Sequence, residues 1–357
     1  MSTLIPVAPA DLPRLLSLDT PGWEEMLTLG RRHAVAGRWY DLLAAADALT
    51  EIPAPVRHHL WSERLIAAER VRMARWEANR VAHAFADSDI VPVLLKGAAY
   101  VAADLLPGRQ RLLSDIDILV PSARLRDAER ILNTRGWRAI AHSAYDDHYY
   151  RQWMHELPPM QHDTRGTVLD LHHNILPRTS RLVPDAAQLL DAAVPVPGLP
   201  LRMLAPADMV IHSILHGFYG GEFTNCFRDV LDVHELVSDL SARHADFWSR
   251  LAERIAQLRC EGPACYALTL AHTAFGTNLP DDLCDALARR ASPWPVRAAT
   301  LWAMRHVFVP ALPPTFLQRR MLDALYMRSH WVKMPPRMLA RHLWTKWRMR
   351  RTESPAG

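Results

Sequence analysis

The amino-acid sequence predicts an α+β protein, in which a small mixed β-sheet core lies between helical segments. Residues 1–88 are rich in helix-forming residues, residues 89–205 contain short β-branched runs separated by turn signals, and residues 206–357 return to a helical pattern. A chain of 357 residues is longer than one typical domain. We therefore expect a helical N-terminal segment, a mixed α/β core and a helical C-terminal domain that ends in a basic tail.

The clearest helix of the N-terminal segment is predicted for residues 61–88. This stretch is rich in Ala, Arg, Glu and Leu and contains neither Gly nor Pro, a composition that favours an uninterrupted helix. Its apolar residues fall roughly on one stripe, as an amphipathic helix requires. The stripe consists of Leu65, Ala68, Val71, Trp76, Val81 and Ala84.

The core region alternates apolar runs with turn signals. Its β-branched and apolar runs are typical of buried strands. The predicted strands are residues 90–95, 116–120, 137–141 and 168–172, with a hairpin at 194–204. Helices are expected at 98–106 and 121–134, and Gly136 is placed where a helix ends in a left-handed residue. Residues 143–164 are polar and aromatic without a clear period, so no element is assigned to them.

Composition excludes several classes of protein. No run reaches the roughly 18 apolar residues that span a bilayer, and the N-terminus lacks the basic start and apolar core of a signal peptide. We therefore expect a cytoplasmic protein. The four cysteines form no C-x-x-C pair, so they indicate neither a zinc site nor a disulfide framework, and we expect buried, reduced thiols. They are Cys226, Cys260, Cys265 and Cys284.

Positive charge is concentrated near the C-terminus. Residues 318–351 contain ten Lys or Arg and one acid, a net charge of +9, whereas the whole chain carries +4. This tail also contains Trp331, Trp344 and Trp347. Three interpretations stay open: a last helix docked by its apolar face, a site for RNA or another polyanion, and a membrane-surface contact. We expect the tail to act separately from any chemistry in the core.

Asp115 and Asp117 are the first candidate site residues. They lie two positions apart in a predicted strand, so both carboxylates point to one face. Two carboxylates this close repel each other unless a cation lies between them, and Mg²⁺ is commonly held by one or two carboxylates together with substrate phosphates. The alternative is a solvated strand end that happens to carry two acids.

Lys96-Gly97 is the second candidate. It directly follows one predicted strand and precedes a helix, a position where backbone N–H groups and a helix N-terminus can hold phosphate oxygens. Gly97 would let the backbone approach closely, and Lys96 offers a positive charge. The alternative is that Gly97 only forms the turn that ends the strand.

Taken together, these motifs resemble the nucleotidyltransferase superfamily related to DNA polymerase beta. They are most similar to the bacterial family described as uncharacterised nucleotidyltransferases, which have L-K-G, a short helix and then R-x-x-x-D-I-D-L-L-V. The matching residues are 95–97, 111–120 and a later strand, 168–172, that carries Asp170 followed by Leu171-His172. The resemblance covers about residues 60–235.

The resemblance implies a role for each matching residue. Asp115, Asp117 and Asp170 would hold one or two Mg²⁺ ions, and Asp170 would also help to deprotonate an acceptor hydroxyl. The turn at Gly97 would cradle the β,γ-phosphates of a nucleoside triphosphate, with ATP the expected one. The other nucleotide-binding residues would be Lys96, Arg111 and Ser114. One departure is that Ala98 follows Gly97 where many superfamily members have a phosphate-binding Ser.

Two functions follow from these residues. The first is metal-dependent transfer of a nucleoside monophosphate to a hydroxyl of a small molecule, a protein or an RNA end, with release of pyrophosphate. The alternative is a catalytically vestigial module that binds a nucleotide or a polyanion. Asp117→Asn is expected to abolish turnover, and it could raise stability without metal by relieving repulsion. His172 shares the face of Asp170, where it could orient substrate or serve as a hydrogen-bonded core residue.

Overall fold

The computed structural model confirms the predicted α+β fold. It describes residues 5–140, 144–220, 223, 225–309, 313–335 and 337. The helices are α1 (Leu12–Leu16), α2 (Thr20–Arg32), α3 (Ala36–Ala45), α4 (Ala54–Phe85), α5 (Lys96–Ala102), α6 (Leu125–Thr134), α7 (Ala144–Trp153), α8 (Ala186–Ala192), α9 (Pro206–Ile214), α10 (Cys226–Arg243), α11 (Phe247–Gln257), α12 (Glu261–Phe275), α13 (Asp281–Arg290), α14 (Trp294–His306) and α15 (Phe316–Lys333).

One mixed sheet forms the core of the described chain. Its strands are β1 (Val93–Leu94), β2 (Asp115–Leu119), β3 (Trp137–Ala139), β4 (Met160–His162), β5 (Val168–His172), β6 (Val194–Pro195) and β7 (Arg202–Met203). Their order across the sheet is β3-β4-β5-β2-β1-β7-β6. The central pair, β2 and β5, is parallel, and β1 runs antiparallel to β2. These three strands carry the motifs found in the sequence.

Helix α4 confirms the long N-terminal helix, but the predicted stripe only partly matches its buried face. Leu65 and Trp76 are 45% and 43% exposed, whereas Ala67, Ala74 and Ala78 are buried. The stripe was misplaced because alanines occur around the whole helix, so apolar residues alone do not single out one face. The alanine face is the buried one, and small side chains allow close packing.

Other elements differ from prediction in extent or existence. The first strand is shorter than expected, because only Val93–Leu94 of the apolar run pairs in the sheet. The hairpin at β6–β7 and the left-handed Gly136, with φ +90°, are confirmed. Residues 143–164, which were left without an element, supply both α7 and β4. Strand β4 is three residues long and is recruited by pairing with β3 and β5, so local sequence carried little sign of it.

The C-terminal helices pack onto the same continuous apolar core, which runs from Ile5 to Leu325. Three of the cysteines are buried as expected, but Cys284 is exposed, on the solvent side of α13, and all four are free thiols. Within the described residues, no helix is both long enough and apolar enough to cross a membrane. Predictions that concern residues 338–357 lie outside the described residues, and the domain boundaries near 88 and 205 stay predictions.

Candidate active site

Strand pairing brings the predicted acids to one face of the sheet. Asp117 on β2 lies directly opposite Asp170 on β5, and Asp115 lies opposite Val168. Because side chains two residues apart on a strand share a face, all three acids point to the same side, as does His172. One ligand atom each from Asp117, Asp170 and His172 lie within 4.8 Å of one another.

Asp117 is the most fully engaged of the acids. It is only 3% exposed, and its Oδ1 accepts a hydrogen bond from Lys96 Nζ at 2.7 Å and lies 2.9 Å from His172 Nε2. Burial alone would raise the Asp117 pKa, but the charge of Lys96 and the hydrogen bond with His172 hold it well below its ordinary value. Asp117 is therefore charged and held in a fixed orientation.

Lys96 reaches Asp117 from a constrained backbone. It begins α5 directly after β1 and has φ +43°, in the left-handed region that residues other than glycine rarely adopt. Burial alone would lower the Lys96 pKa, but Asp117 raises it above its ordinary value, so the ammonium stays charged. Strained backbone of this kind persists where the surrounding structure fixes it, and it is common at functional sites.

Asp170 has a different environment from its partner in the register. Its Oδ1 is buried and has no hydrogen-bond partner among the described residues. Burial, reinforced by the negative charges of Asp117 and Glu156, raises the pKa of Asp170 to about 7. The paired strands thus present one firmly ionised carboxylate and one whose proton is exchanged near neutral pH.

Glu156 and His155 complete this cluster, and the sequence analysis missed both. Glu156 forms an isolated bridge to His172 at the end of β5, and its Oε2 lies 3.3 Å from His172 Nε2 and 3.7 Å from His155 Nε2. Burial alone would lower the His172 pKa, but Glu156 and Asp117 raise it above its ordinary value. The only local signal was an adjacent His-Glu pair within a polar segment that lacks periodicity.

Asp115 and Ser114 lie at the edge of this arrangement. The Ser114 hydroxyl donates a hydrogen bond to Asp115 Oδ1 at 3.1 Å, and burial followed by the charge of Asp117 raises the Asp115 pKa. Both residues line a small cavity of about 170 Å³, which they share with Arg165 and Thr167. Among the described residues, Asp115 is not part of a group whose ligand atoms are close enough together to hold a metal.

Gly97 marks a close approach between two segments of the core. A Cβ added there would lie 2.1 Å from Leu113 Cδ2 and 2.9 Å from Arg111 Nε. Any larger side chain would therefore require the side chains of Leu113 and Arg111 to move. The structure thus places the predicted phosphate turn directly against the side chain of Arg111.

Arg111 is paired with a residue of α10. Its Nη1 donates to Asp232 Oδ2 at 2.5 Å, and Asp232 Oδ1 lies 3.0 Å from Arg228 Nε one turn earlier on α10. The Arg111 guanidinium also lies over the ring of Tyr100, 5.5 Å from its centroid. The expected phosphate contact of Arg111 stays a prediction, while its observed contact joins the core to α10.

A cleft of about 360 Å³ opens beside the acids. Its walls come from the sheet, from the segment around residue 155 and from the C-terminal helices. Residues that line it include Lys96, His155, Glu156, Asp170, His216, Asp229 and Lys333. Lys333 belongs to the basic stretch that was expected to act apart from the chemistry, but it lines this cleft. The end of α15 is tied to the core because Arg181 N donates to Val332 O at 3.0 Å.

The chemistry of this cluster fits a divalent cation. Asp117 and Asp170 supply the hard oxygen ligands that Mg²⁺ prefers. The buried, unpaired Oδ1 of Asp170 is the kind of polar atom that a bound ion would satisfy. Of the acids named from the sequence, these two are brought together in one metal-capable group, with His172 as its third member.

A comparison with known protein families identifies the family of the chain. A family model described as an uncharacterised nucleotidyltransferase matches residues 19–276 of the chain. The chain belongs to this nucleotidyltransferase family. Among curated proteins, no match to the chain was found. The family match covers α2 through α12 and so includes the sheet, the segment around residue 155 and α10, but not α15, which contributes Lys333 to the cleft.

Proposed function

We propose that this protein is a metal-dependent nucleotidyltransferase, which transfers a nucleoside monophosphate from a nucleoside triphosphate to a hydroxyl acceptor and releases pyrophosphate. The observation that carries the proposal is the register of β2 and β5, which sets Asp117 opposite Asp170 beside a cleft in a chain of the nucleotidyltransferase family. ATP is the expected nucleotide and Mg²⁺ the expected ion at these two acids. The acceptor would be a small molecule, a protein or an RNA end.

Asp117 and Asp170 would hold the cation, which when bound neutralises charge on the transferring phosphoryl group. His172 keeps the Asp117 carboxylate in place through its Nε2 contact. Lys96 lines the cleft. Its ammonium, which donates to Asp117 in the structure, can instead donate to a triphosphate oxygen. These residues thus fix one end of the nucleotide by charge.

Asp170 is suited to accept a proton during transfer. Without a bound ion its pKa is about 7, close to the neutral pH at which a general base is most effective. The acceptor hydroxyl would give its proton to Asp170 as its oxygen bonds to the α-phosphorus. The bond from that phosphorus to the bridging oxygen breaks at the same time, and pyrophosphate leaves. A bound cation would lower the Asp170 pKa, so in the metal-loaded site the carboxylate would be ionised and able to accept this proton.

The remaining assignments from the sequence are part of the proposal. Asp115 would join the metal site as a further ligand, with Ser114 steadying its carboxylate by the observed hydrogen bond. Gly97 would offer backbone N–H groups to the phosphates. Arg111, which is engaged by Asp232, would support the phosphates through its charge or by holding the Gly97 turn in place.

The test is incubation of the full chain with each α-labelled nucleoside triphosphate, a divalent cation and cell extract. Labelled product should form and should be lost in Asp117→Asn protein whose folded state has been verified by circular dichroism at the assay temperature. The matched control is Asp285→Asn, an exposed acid on α13, which should leave transfer unchanged. Absence of labelled product with every triphosphate and cation, from folded protein, would contradict the proposal.

The alternative of a vestigial binding module gives a separate result. Calorimetry would then detect binding of ATP or a polyanion, while no triphosphate is converted in the presence of any cation. Wild-type turnover in the Asp117→Asn variant would instead contradict the assignment of the site residues.

A further inference from the structure

We infer that His155, Glu156 and His172 form a second metal site, which binds a borderline first-row transition ion such as Mn²⁺, Co²⁺ or Zn²⁺ beside the Asp117–Asp170 pair. The inference rests on the proposed function for the part that this ion plays in nucleotidyl transfer. It does not rest on that function for metal binding itself, which can be measured alone.

The ligand atoms have the spacing that a single small ion requires. One atom each from His155, Glu156 and His172 lie within 4.8 Å of one another. Glu156 Oε2 is 3.3 Å from His172 Nε2 and 3.7 Å from His155 Nε2. Neighbouring ligands of an ion bound at about 2.0–2.2 Å lie roughly 3–3.6 Å apart, so small side-chain adjustments would close the site.

The ligand types select the ion. Mg²⁺ prefers an octahedral set of oxygen atoms and retains water, whereas two imidazoles and one carboxylate suit Zn²⁺, Co²⁺ and related ions. The Asp117–Asp170 pair offers oxygen atoms, and the His155–Glu156–His172 group offers mostly nitrogen. His172 belongs to both groups, and its Nε2 can bind only one ion, so the ion at the histidines would take this nitrogen while the Asp117–Asp170 pair would hold its own ion through oxygen atoms.

The surroundings of His172 Nε2 provide a further reason to expect a cation. The residue is fully buried, at 0% exposure, and this nitrogen faces two carboxylate oxygens, Asp117 Oδ1 at 2.9 Å and Glu156 Oε2 at 3.3 Å. Two carboxylates that converge on one point favour a positive charge between them.

The charge balance points in the same direction. Asp115, Asp117, Asp170 and Glu156 place four carboxylates around this end of the sheet, while Lys96 is the ammonium in direct contact with one of them. Partly buried like charges repel each other strongly in a low dielectric. One divalent ion at the Asp117–Asp170 pair would leave the charge of Glu156 opposed by the imidazoles and by the more distant ammonium of Lys96. A second ion at the histidines would neutralise it.

The test uses chelator-stripped full-length protein titrated with Co²⁺ while its visible d–d absorption is followed. The wild type should bind Co²⁺ with nitrogen-containing coordination, and the spectrum should survive a large excess of Mg²⁺. His155→Gln and Glu156→Gln should each weaken Co²⁺ binding by at least about 10–100-fold, the loss usual for a single outer-shell partner of a metal ligand. The control is His234→Gln on α10, whose ring bonds Thr277 and which should bind Co²⁺ like the wild type.

A second measurement needs no variant. X-ray absorption of the Zn²⁺-loaded wild type should show two imidazoles at the metal. Complete displacement of Co²⁺ by Mg²⁺, unchanged affinity in His155→Gln, or fewer than two imidazoles would overturn the inference. Nucleotidyl transfer with Mg²⁺ alone, measured in parallel, separates the two proposals. Transfer without Co²⁺ binding removes only the second site, and Co²⁺ binding without turnover of any triphosphate removes only the proposed function.

Discussion

Replacing Asp170 by Asn should stabilise the protein when no metal is bound, and the gain should grow with pH. An aspartate in the unfolded chain loses its proton near pH 3.9, whereas the folded carboxyl, with its pKa raised to about 7, keeps the proton over this range. The folded state therefore binds more protons than the unfolded state between these values. The Asp170 contribution is fully present below about pH 4 and is lost as the pH rises through about 7.

The size of the effect follows from the shift. About three units at about 1.4 kcal/mol per unit give an upper bound of about 4 kcal/mol above pH 8, of which about 3 kcal/mol develops between about pH 5 and about pH 8. Urea unfolding in the presence of a chelator, for the wild type and Asp170→Asn at both pH values, measures this difference. Saturating Mn²⁺ or Mg²⁺ should reverse the order, because only the wild type keeps the ligand.

Asp117→Asn is the matched comparison and should change stability in the opposite direction. Its carboxylate accepts the Lys96 hydrogen bond and lies against His172. Its loss leaves the partly buried Lys96 ammonium without its contacting counter-charge, which costs up to about 3–5 kcal/mol. From the sequence, Asp117→Asn was expected to relieve repulsion between neighbouring carboxylates. Because Asp117 is paired with Lys96, we now expect that relief from Asp170→Asn instead. If Asp170→Asn were no more stable than the wild type near pH 8, or gained the same amount near pH 5, this account of the site charges would be refuted.

Two further predictions concern packing and the tail. Gly97→Ala should lower the free energy of unfolding by about 1–3 kcal/mol, since its Cβ would overlap Leu113. Adding Leu113→Ala to the same chain should recover part of this loss in urea unfolding. A Gly97→Ala variant as stable as the wild type would contradict the close approach. If the tail binds RNA, neutralising four of its arginines should reduce the log–log salt slope by about 0.7–0.9 per lost phosphate contact. An unchanged slope, with Trp347→Ala costing about 3–5 kcal/mol, would identify a docked helix. The arginines are Arg337, Arg341, Arg348 and Arg350.

The sequence was sufficient for those parts of the site that depend on local periodicity. Alternation along β2 places Asp115 and Asp117 on one face, and the run 168–172 matches β5 residue for residue. Local periodicity does not fix which residue of β5 lies opposite Asp117. The pairing of Asp117 with Asp170 depends on long-range register, which is specified by burial of the whole sheet. The family resemblance, rather than the strand pattern, led to Asp170.

Other parts of the site could not be derived from local pattern. Glu156 lies in a segment without periodicity, and its place is set by one bridge to His172. The family resemblance assigned Arg111 to phosphate, whereas the structure pairs it with Asp232, 121 residues later on α10. Lys333 likewise reaches the cleft only because α15 folds back on the core. Each of these contacts joins segments far apart in sequence.

The Lys96–Asp117 pair links metal binding to nucleotide binding under the proposed function. A cation that takes Asp117 displaces the ammonium, which is then left in a partly buried cleft without its counter-charge. A triphosphate can supply that counter-charge. Bound together, the cation and the triphosphate therefore avoid leaving the Lys96 ammonium unpaired, which the cation alone would do. Coupling between two ligands is reciprocal and typically amounts to about 1–3 kcal/mol, so Mg²⁺ should bind roughly 5–150-fold more tightly with ATP than without it. In Lys96→Met the effect of ATP on Mg²⁺ affinity should largely disappear, because no ammonium is displaced. Equal Mg²⁺ affinities of the wild-type protein with and without ATP, measured by calorimetry, would contradict this link.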